Sequence, residues 1–160
     1  MKLQEMTGFD RDGNPTTIWL PAYHIVKQAL LDLDYSSGAI ENQDAAHQLA
    51  EQFYLSAKQR NVVKENGVNL WIRQVNISIQ HLVDEAKLLR PKFATIITTD
   101  KFRDMVVDVL EQLNCDIPEF SVHRNRDTRT TLIKVETDYL NFNLAFRKPD
   151  SVVSDDLDTG

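Results

Sequence analysis

Residues 67–99 are the part of this chain that most constrains its fold. Apolar side chains recur there at the 3.6-residue spacing of a helix with one buried face, at Trp71, Val75, Ile79, Leu82, Val83 and Ala86. Pro91 disfavours a helical conformation in the residue before it, and residues 93–99 are rich in β-branched side chains. The stretch therefore predicts one long helix, a short basic break and one strand.

The opposite face of the predicted long helix is polar without being acidic, which suits a helix that approaches phosphates and base edges. It carries Arg73, Gln74, Asn76, Ser78 and Gln80. Gln and Asn side chains pair with adenine, and Arg pairs with guanine. The sequence therefore predicts a recognition helix in the major groove of DNA. An ordinary amphipathic helix with a solvated polar face is the alternative.

Basic residues lie on both sides of this helix. Lys58, Arg60 and Lys64 precede it, and Lys87, Arg90 and Lys92 follow it. Residues 56–92 contain seven basic and three acidic residues, although the whole chain of 160 residues has a net charge of −6. Because local potential steers a ligand more than net charge does, we expect these cations to contact DNA phosphates in a salt-dependent way.

Shorter elements are expected before and after this stretch. Residues 1–20 are interpreted as a lead-in, with a turn over 9–15 and a strand over 16–20. Helices are expected at 21–34, from a cap at Asn42 to about residue 54, and from a cap at Ser56 to residue 64. Asp100 is expected to cap a further helix over 101–113, whose apolar stripe is Phe102, Met105, Val106, Val109, Leu110 and Leu113. Strands are expected at 120–123, 130–137 and 140–146, the last two paired.

The predicted fold class is α+β. A winged helix-turn-helix domain is expected over residues 21–100, because the long helix, basic turn and strand match the second half of such a domain. An extra helix and a small β-hairpin or sheet would follow over residues 101–148. Residues 149–160 are acidic and are interpreted as a disordered tail.

Local features of residues 23–100 resemble the N-terminal winged-helix domain of Mrr-type restriction proteins. The first features are an opening helix at 24–31, a small-residue turn at 37–39, an Ala/Leu helix at 44–50 and a Leu-Ser segment at 55–60. The later ones are a helix end at 82–89 and a strand that ends at Thr98 and Thr99. At the helix end the family has a Leu-x-x-Ala-Gly-Leu pattern. The resemblance implies double-stranded DNA as the partner and a role related to restriction and defence. Lys87 stands where the family has glycine, and no acidic-x-Lys triplet for magnesium follows Asp100. It therefore implies DNA binding without cleavage, or a module whose partner supplies the cleavage.

No motif in the sequence supports an enzyme, a metal site or a cofactor. The four histidines lack metal-ligand spacing, and no glycine-rich phosphate loop or nucleophile elbow occurs. Cys115 is the single cysteine, which excludes an internal disulfide and favours a reducing, cytoplasmic setting. No run approaches eighteen apolar residues, so no membrane span is predicted.

Two further clusters have competing interpretations. Asp10, Asp12 and Asn14 alternate like the first ligands of a calcium loop, but Pro21 stands at the position of its final glutamate, so a plain turn is favoured. A second basic cluster comprises Arg124, Arg126 and Arg129. Its arginines are interpreted as a solvated turn in preference to a phosphate contact.

The leading hypothesis is a DNA-binding module without catalysis of its own. The alternative is a protein–protein interaction or dimerisation module, since the acidic segments at both ends of the chain suit a protein partner. Positive charge concentrated on one face would favour DNA. Scattered charge together with an exposed apolar patch would favour a protein partner or a homodimer.

Overall fold

A computed structural model describes residues 1–116, 119–138 and 141–147. Over these residues the fold is mixed α+β, with five helices and three small antiparallel sheets, which confirms the predicted fold class. The chain divides into two compact units. The first unit contains Met1–Leu33 and Glu41–Gln80, and the second contains Asp34–Ile40 and the described residues from His81 onward. The expected acidic tail lies outside the described residues.

The described residues form five helices and eight strands. The helices are α1 (Tyr23–Leu31), α2 (Asn42–Gln52), α3 (Ala57–Asn61), α4 (Leu70–Asp84) and α5 (Thr99–Gln112). The strands are β1 (Leu3–Phe9), β2 (Pro15–Pro21), β3 (Ile40–Glu41), β4 (Leu88–Leu89), β5 (Thr95–Thr98), β6 (Glu119–Asn125), β7 (Thr130–Glu136) and β8 (Asn141–Arg147).

The first unit begins with a hairpin. Strands β1 and β2 pair antiparallel along their whole length, from Leu3 opposite Pro21 to Phe9 opposite Pro15. The strand expected at residues 16–20 is confirmed, whereas its partner β1 was not predicted. The carboxylate of Asp10 accepts the backbone N–H groups of Asp12 and Asn14 at 2.9 Å, so this segment is an Asx-type turn.

The core of the first unit forms where the predicted apolar faces meet. Val26, Leu30, Leu49 and Ile79 are fully buried on three different helices. Trp71 on α4 donates its indole N–H to the carbonyl of Ala46 on α2 at 2.9 Å. The apolar face predicted for the long helix is therefore largely confirmed, except that Ala86 is half-buried and lies beyond the end of α4.

The second unit contains two sheets of three strands. One has the order β3-β5-β4 and the other the order β6-β7-β8. The predicted pairing of the last two strands is confirmed, with Thr130 opposite Arg147 and Glu136 opposite Asn141. Tyr139 and Leu140, between these two strands, lie outside the described residues.

Three helices end at a non-glycine residue in the left-handed region. These residues are Tyr54, Ala86 and Asn114, with φ of 54°, 60° and 58°. After α4, the N–H of Lys87 donates to Leu82 O and that of Ala86 donates to Val83 O, at 2.9 and 3.0 Å. This is a Schellman motif, which satisfies carbonyls that the helix end leaves without partners. The helix therefore ends before Pro91, and the predicted role of proline as its terminator is wrong.

Two of the three predicted helix caps are wrong. Ser56 caps α3 as expected, whereas the N-cap of α2 is Glu41 and that of α5 is Thr98. The Thr98 hydroxyl accepts the N–H of Lys101 at 3.2 Å, so Asp100 lies inside the helix. Asn42 is the first helical residue of α2, and its Oδ1 finds no hydrogen-bond partner among the described residues.

Half of the apolar stripe predicted for the helix at 101–113 is exposed. Leu110 is its only member that is buried in the described structure. Phe102 packs edge-on against Phe146 of β8, with ring centroids 5.7 Å apart. Met105, Val109 and Leu113 are 40%, 56% and 61% exposed. The pattern thus predicted the helix correctly but not which surface its apolar side would meet.

Candidate nucleic-acid interface

The polar face of α4 is largely inside the protein. Gln74 and Ser78 have no exposed surface, and Asn76 is 6% exposed. The prediction that these side chains face DNA is therefore wrong, because a buried amide cannot reach a base edge. Arg73 and Gln80 are half-buried.

Local hydrogen bonds explain this burial. The Gln74 amide donates to Pro21 O at 2.9 Å and to the Gln4 side chain at 3.2 Å, so the N-terminal hairpin covers this side of the helix. Ser78 donates its hydroxyl to Gln74 O one turn earlier. Buried polar groups are usually paired in this way. Gln74 and Ser78 thus belong to an internal hydrogen-bond network, in which Gln74 Oε1 has no partner among the described residues.

Helix α3 and the turn after it carry three of the cations predicted to bind DNA. Ser56 and Gln59 form a capping box, in which each side chain accepts the backbone N–H of the other residue, at 3.2 and 2.7 Å. The Gln59 amide also donates to Trp19 O on β2 at 2.7 Å, which fixes the helix to the hairpin. Lys58 is exposed within this helix, and Lys64 is exposed in the turn that follows it.

Arg60, also predicted to bind DNA, is held closer to the protein. Its Nε donates to Leu55 O at 3.1 Å, and its own carbonyl accepts the side-chain amide of Asn69 at 2.6 Å. These bonds orient the guanidinium along α3 and leave it half-buried. The first unit therefore presents Lys58 and Lys64 as open cations and Arg60 as a positioned one.

The turn between β4 and β5 presents a second group of predicted contacts. Lys92 is exposed, and Phe93 beside it is 64% exposed. Thr95 closes this turn, since its hydroxyl donates to Lys92 O at 2.7 Å. Lys87 lies 3.9 Å from Glu85, a surface pair of little energetic weight.

Arg90, by contrast, is half-buried and lies near Arg124 and Arg129. Burial, followed by the neighbouring guanidinium of Arg124, lowers the pKa of Arg90 to about 10, with Arg129 adding to the effect and Asp84 opposing it. The group still carries its positive charge at neutral pH. Arg90 therefore joins Arg124, Arg126 and Arg129, which the sequence analysis treated as a separate cluster.

A single carboxylate organises these arginines. Asp84 is the last residue of α4. Its Oδ1 accepts two hydrogen bonds from Arg124, one from Nε and one from a terminal nitrogen, both at 3.2 Å. Its Oδ2 lies 3.8 Å from Arg126 Nε. Arg124 also donates to the Thr131 hydroxyl at 3.1 Å, and its side chain is only 8% exposed. The interpretation of Arg124 as part of a solvated turn is therefore wrong, whereas Arg126 and Arg129 are exposed.

The described residues contain no group of three or more His, Cys, Asp or Glu side chains placed to hold a metal ion. His47 lies 3.2 Å from Glu51 on the exposed side of α2. Cys115 is a half-buried free thiol. Within the described part of the chain, no helix has the length and apolar character needed to cross a membrane.

Comparisons with known proteins provide no relative for this chain. No family model, curated protein or solved structure matches it.

Proposed function

We propose that this chain is a winged-helix module that binds double-stranded DNA and has no catalytic centre of its own. The observation that carries the proposal is a helix pair followed by a small sheet. Residues 53–56 connect α2 to the capped helix α3, and turns of three or four residues join the two helices of a helix-turn-helix. The strands β4 and β5 come later in the chain and form a sheet with β3. In this sheet β5 lies between β3 and β4.

In this proposal α3, not α4, faces the DNA. A recognition helix places residues near its N-terminus at the bases while neighbouring cations contact phosphates. Lys58 lies in the first turn of α3, and the capping box holds that turn in place. The buried polar face of α4 serves the protein core instead.

The turn between β4 and β5 then corresponds to the wing. Lys92 and Phe93 are exposed there, a cation and an aromatic ring that can meet a backbone phosphate and a sugar or base. The relation to restriction and defence proteins stays a proposal that rests on the sequence resemblance alone.

The test is a duplex-binding titration of the full chain by fluorescence anisotropy. Replacing Lys58 with Gln is expected to weaken binding roughly three- to tenfold, because one phosphate or base contact is lost. Arg11→Gln is the matched control, since Arg11 is an exposed cation at the tip of the β1–β2 hairpin. Equal affinities for the wild type and Lys58→Gln would contradict the role of α3.

A second candidate function is homodimerisation through α5. Met105, Val109 and Leu113 lie four residues apart and form one exposed apolar line along this helix. Lys101 and Arg103 near its start are offset by Asp100 and Asp104, so the apolar line, and not charge complementarity, favours a second copy as the partner. Sedimentation of the wild type and Val109→Glu distinguishes the candidates: a dimer that the substitution dissociates supports this one, and a monomer contradicts it.

A further inference from the structure

The four arginines around Asp84 are an unusual arrangement for a surface of this acidic chain. Arg90, Arg124, Arg126 and Arg129 come from the end of β4, from β6 and from the turn between β6 and β7. Asp84 contacts two of them, Arg124 and Arg126, and Asp127 is an acidic residue in the β6–β7 turn. The cluster therefore keeps a net positive charge even when both aspartates are counted.

Like charges held close together cost free energy unless an anion compensates them. Asp84 compensates only part of the positive charge of the four arginines, because it carries a single negative charge. Its Oδ1 contacts Arg124, and its Oδ2 lies 3.8 Å from Arg126 Nε. Arg124 is fixed by Asp84 and by Thr131, so it serves as a rigid base for the cluster. Arg126 and Arg129 extend from this base into solvent, where a ligand has access to them.

Guanidinium groups present planar pairs of N–H donors that match the oxygen atoms of a phosphate. We propose that Arg90, Arg124, Arg126 and Arg129 form a phosphate-binding site on the second unit, with Asp84 as the residue that positions Arg124. Arg126 and Arg129 contact the phosphate directly. Arg90 and Arg124 supply buried positive charge beneath it.

The phosphate has two possible sources with the same chemistry, a DNA backbone and a free phosphate compound. Assigning it to DNA rests on the proposed function, whereas the site itself does not. If DNA is the source, the second unit contacts it through the arginine cluster as well as through the proposed wing. The experiment therefore uses a duplex in one arm and inorganic phosphate and pyrophosphate in the other.

The variants are Arg126→Gln and Arg129→Gln, with Arg103→Gln as the matched control on the exposed side of α5. In the duplex arm each site variant is expected to weaken binding roughly three- to tenfold. The slope of log affinity against log salt concentration is expected to fall by about one, the value for one lost phosphate contact. In the second arm, pyrophosphate is expected to raise the melting temperature of the wild type more than that of either site variant. The control is expected to behave like the wild type in both arms.

Asp84→Asn separates a ligand site from a structural ion pair. Asparagine can still accept from Arg124, but it no longer competes with the ligand for positive charge. Phosphate affinity is therefore expected to rise several-fold, whereas a purely structural role predicts lower stability and unchanged affinity. Circular dichroism melting confirms that the variant is folded before its affinity is measured.

The outcomes distinguish the site from the proposed function. Duplex binding that is equal in the wild type and both site variants, together with no effect of pyrophosphate, overturns the site and leaves DNA binding intact. A pyrophosphate effect that the site variants remove, without any duplex binding, supports the site and overturns the proposed function. Equal losses for Arg103→Gln and the site variants would show general charge attraction and overturn the site.

Discussion

Gln74 joins α4 to the N-terminal hairpin through one buried amide. Its bond to Pro21 O is buried, and its bond to Gln4 is partly buried. Gln74→Ala leaves the carbonyl without its donor and creates a cavity, so we expect a loss of about 2–3 kcal/mol in the free energy of unfolding. Urea denaturation measures this loss.

The matched control for this prediction is Gln48→Ala, since Gln48 is an exposed glutamine on α2. It is expected to change stability by less than about 0.5 kcal/mol. The folded Gln74→Ala protein is expected to bind duplex DNA as the wild type does. Weaker duplex binding by a variant of unchanged stability would indicate that Gln74 contacts DNA, which contradicts its role as a buried residue.

Ala86 ends α4 with a φ of 60°, a conformation that costs a side chain with a Cβ about 1 kcal/mol or more. Glycine removes this cost but adds freedom to the unfolded chain. Ala86→Gly is therefore expected to raise the free energy of unfolding by about 0.5–1 kcal/mol, measured by urea denaturation.

Ala39→Gly provides the opposite control. Ala39 is exposed and does not have a positive φ, so glycine there adds only unfolded-state entropy and is expected to lower stability slightly. Destabilisation by both substitutions would show that Ala86 is not strained.

Among the elements, α3 is the most dependent on local capping. It has five residues and no buried side chain, so its position rests on Ser56, Gln59 and the bond from Gln59 to Trp19 O. Short helices of this kind are not stable alone. The order of α3, and with it the placement of Lys58, therefore depends on a few hydrogen bonds.

Ser56→Ala removes the hydroxyl that accepts the Gln59 N–H. We expect a loss of about 1 kcal/mol in the free energy of unfolding and weaker duplex binding, because Lys58 is no longer held in position. Thermal denaturation and anisotropy measure the two effects. Ser37→Ala, in an exposed turn, is the control, and an equal response of both variants would contradict the capping role.

Periodicity identified the elements better than it identified their surroundings. The buried face of α4 followed from the spacing of Trp71, Val75 and Ile79, because such spacing reports the helix itself. The burial of Gln74 depends on β1 and β2, whose position relative to α4 is a tertiary property. The apolar line of α5 shows the same limit, since the pattern does not specify a covering partner.

Two cap predictions failed for a related reason. Asn42 and Asp100 are good capping residues, but the chain enters the helix one residue before the first and two residues before the second. Element ends shift easily by one or two residues, because neighbouring side chains compete for the same backbone N–H groups. The arginine cluster was not predicted as a whole, because it is a tertiary arrangement. Its members come from the end of β4, from β6 and from the β6–β7 turn, which are distant in the sequence.

For the whole molecule, the proposed DNA binding has to be compatible with a net charge of −6. In the proposed function, binding is therefore local. The proposed contacts of the first unit are the exposed Lys58 and Lys64. Those of the second unit are Lys92 and the arginine cluster. Acidic residues elsewhere repel DNA and restrict it to these surfaces.

The most direct test is the salt dependence of duplex affinity, measured by anisotropy between about 50 and 200 mM salt. With about three or more phosphate contacts, we predict that the affinity of the wild type falls more than tenfold over this range. The double variant Lys58→Gln/Lys64→Gln is predicted to show a smaller slope, and Arg11→Gln the wild-type slope. No duplex binding at the lowest salt, or a slope that none of these substitutions changes, would contradict the account.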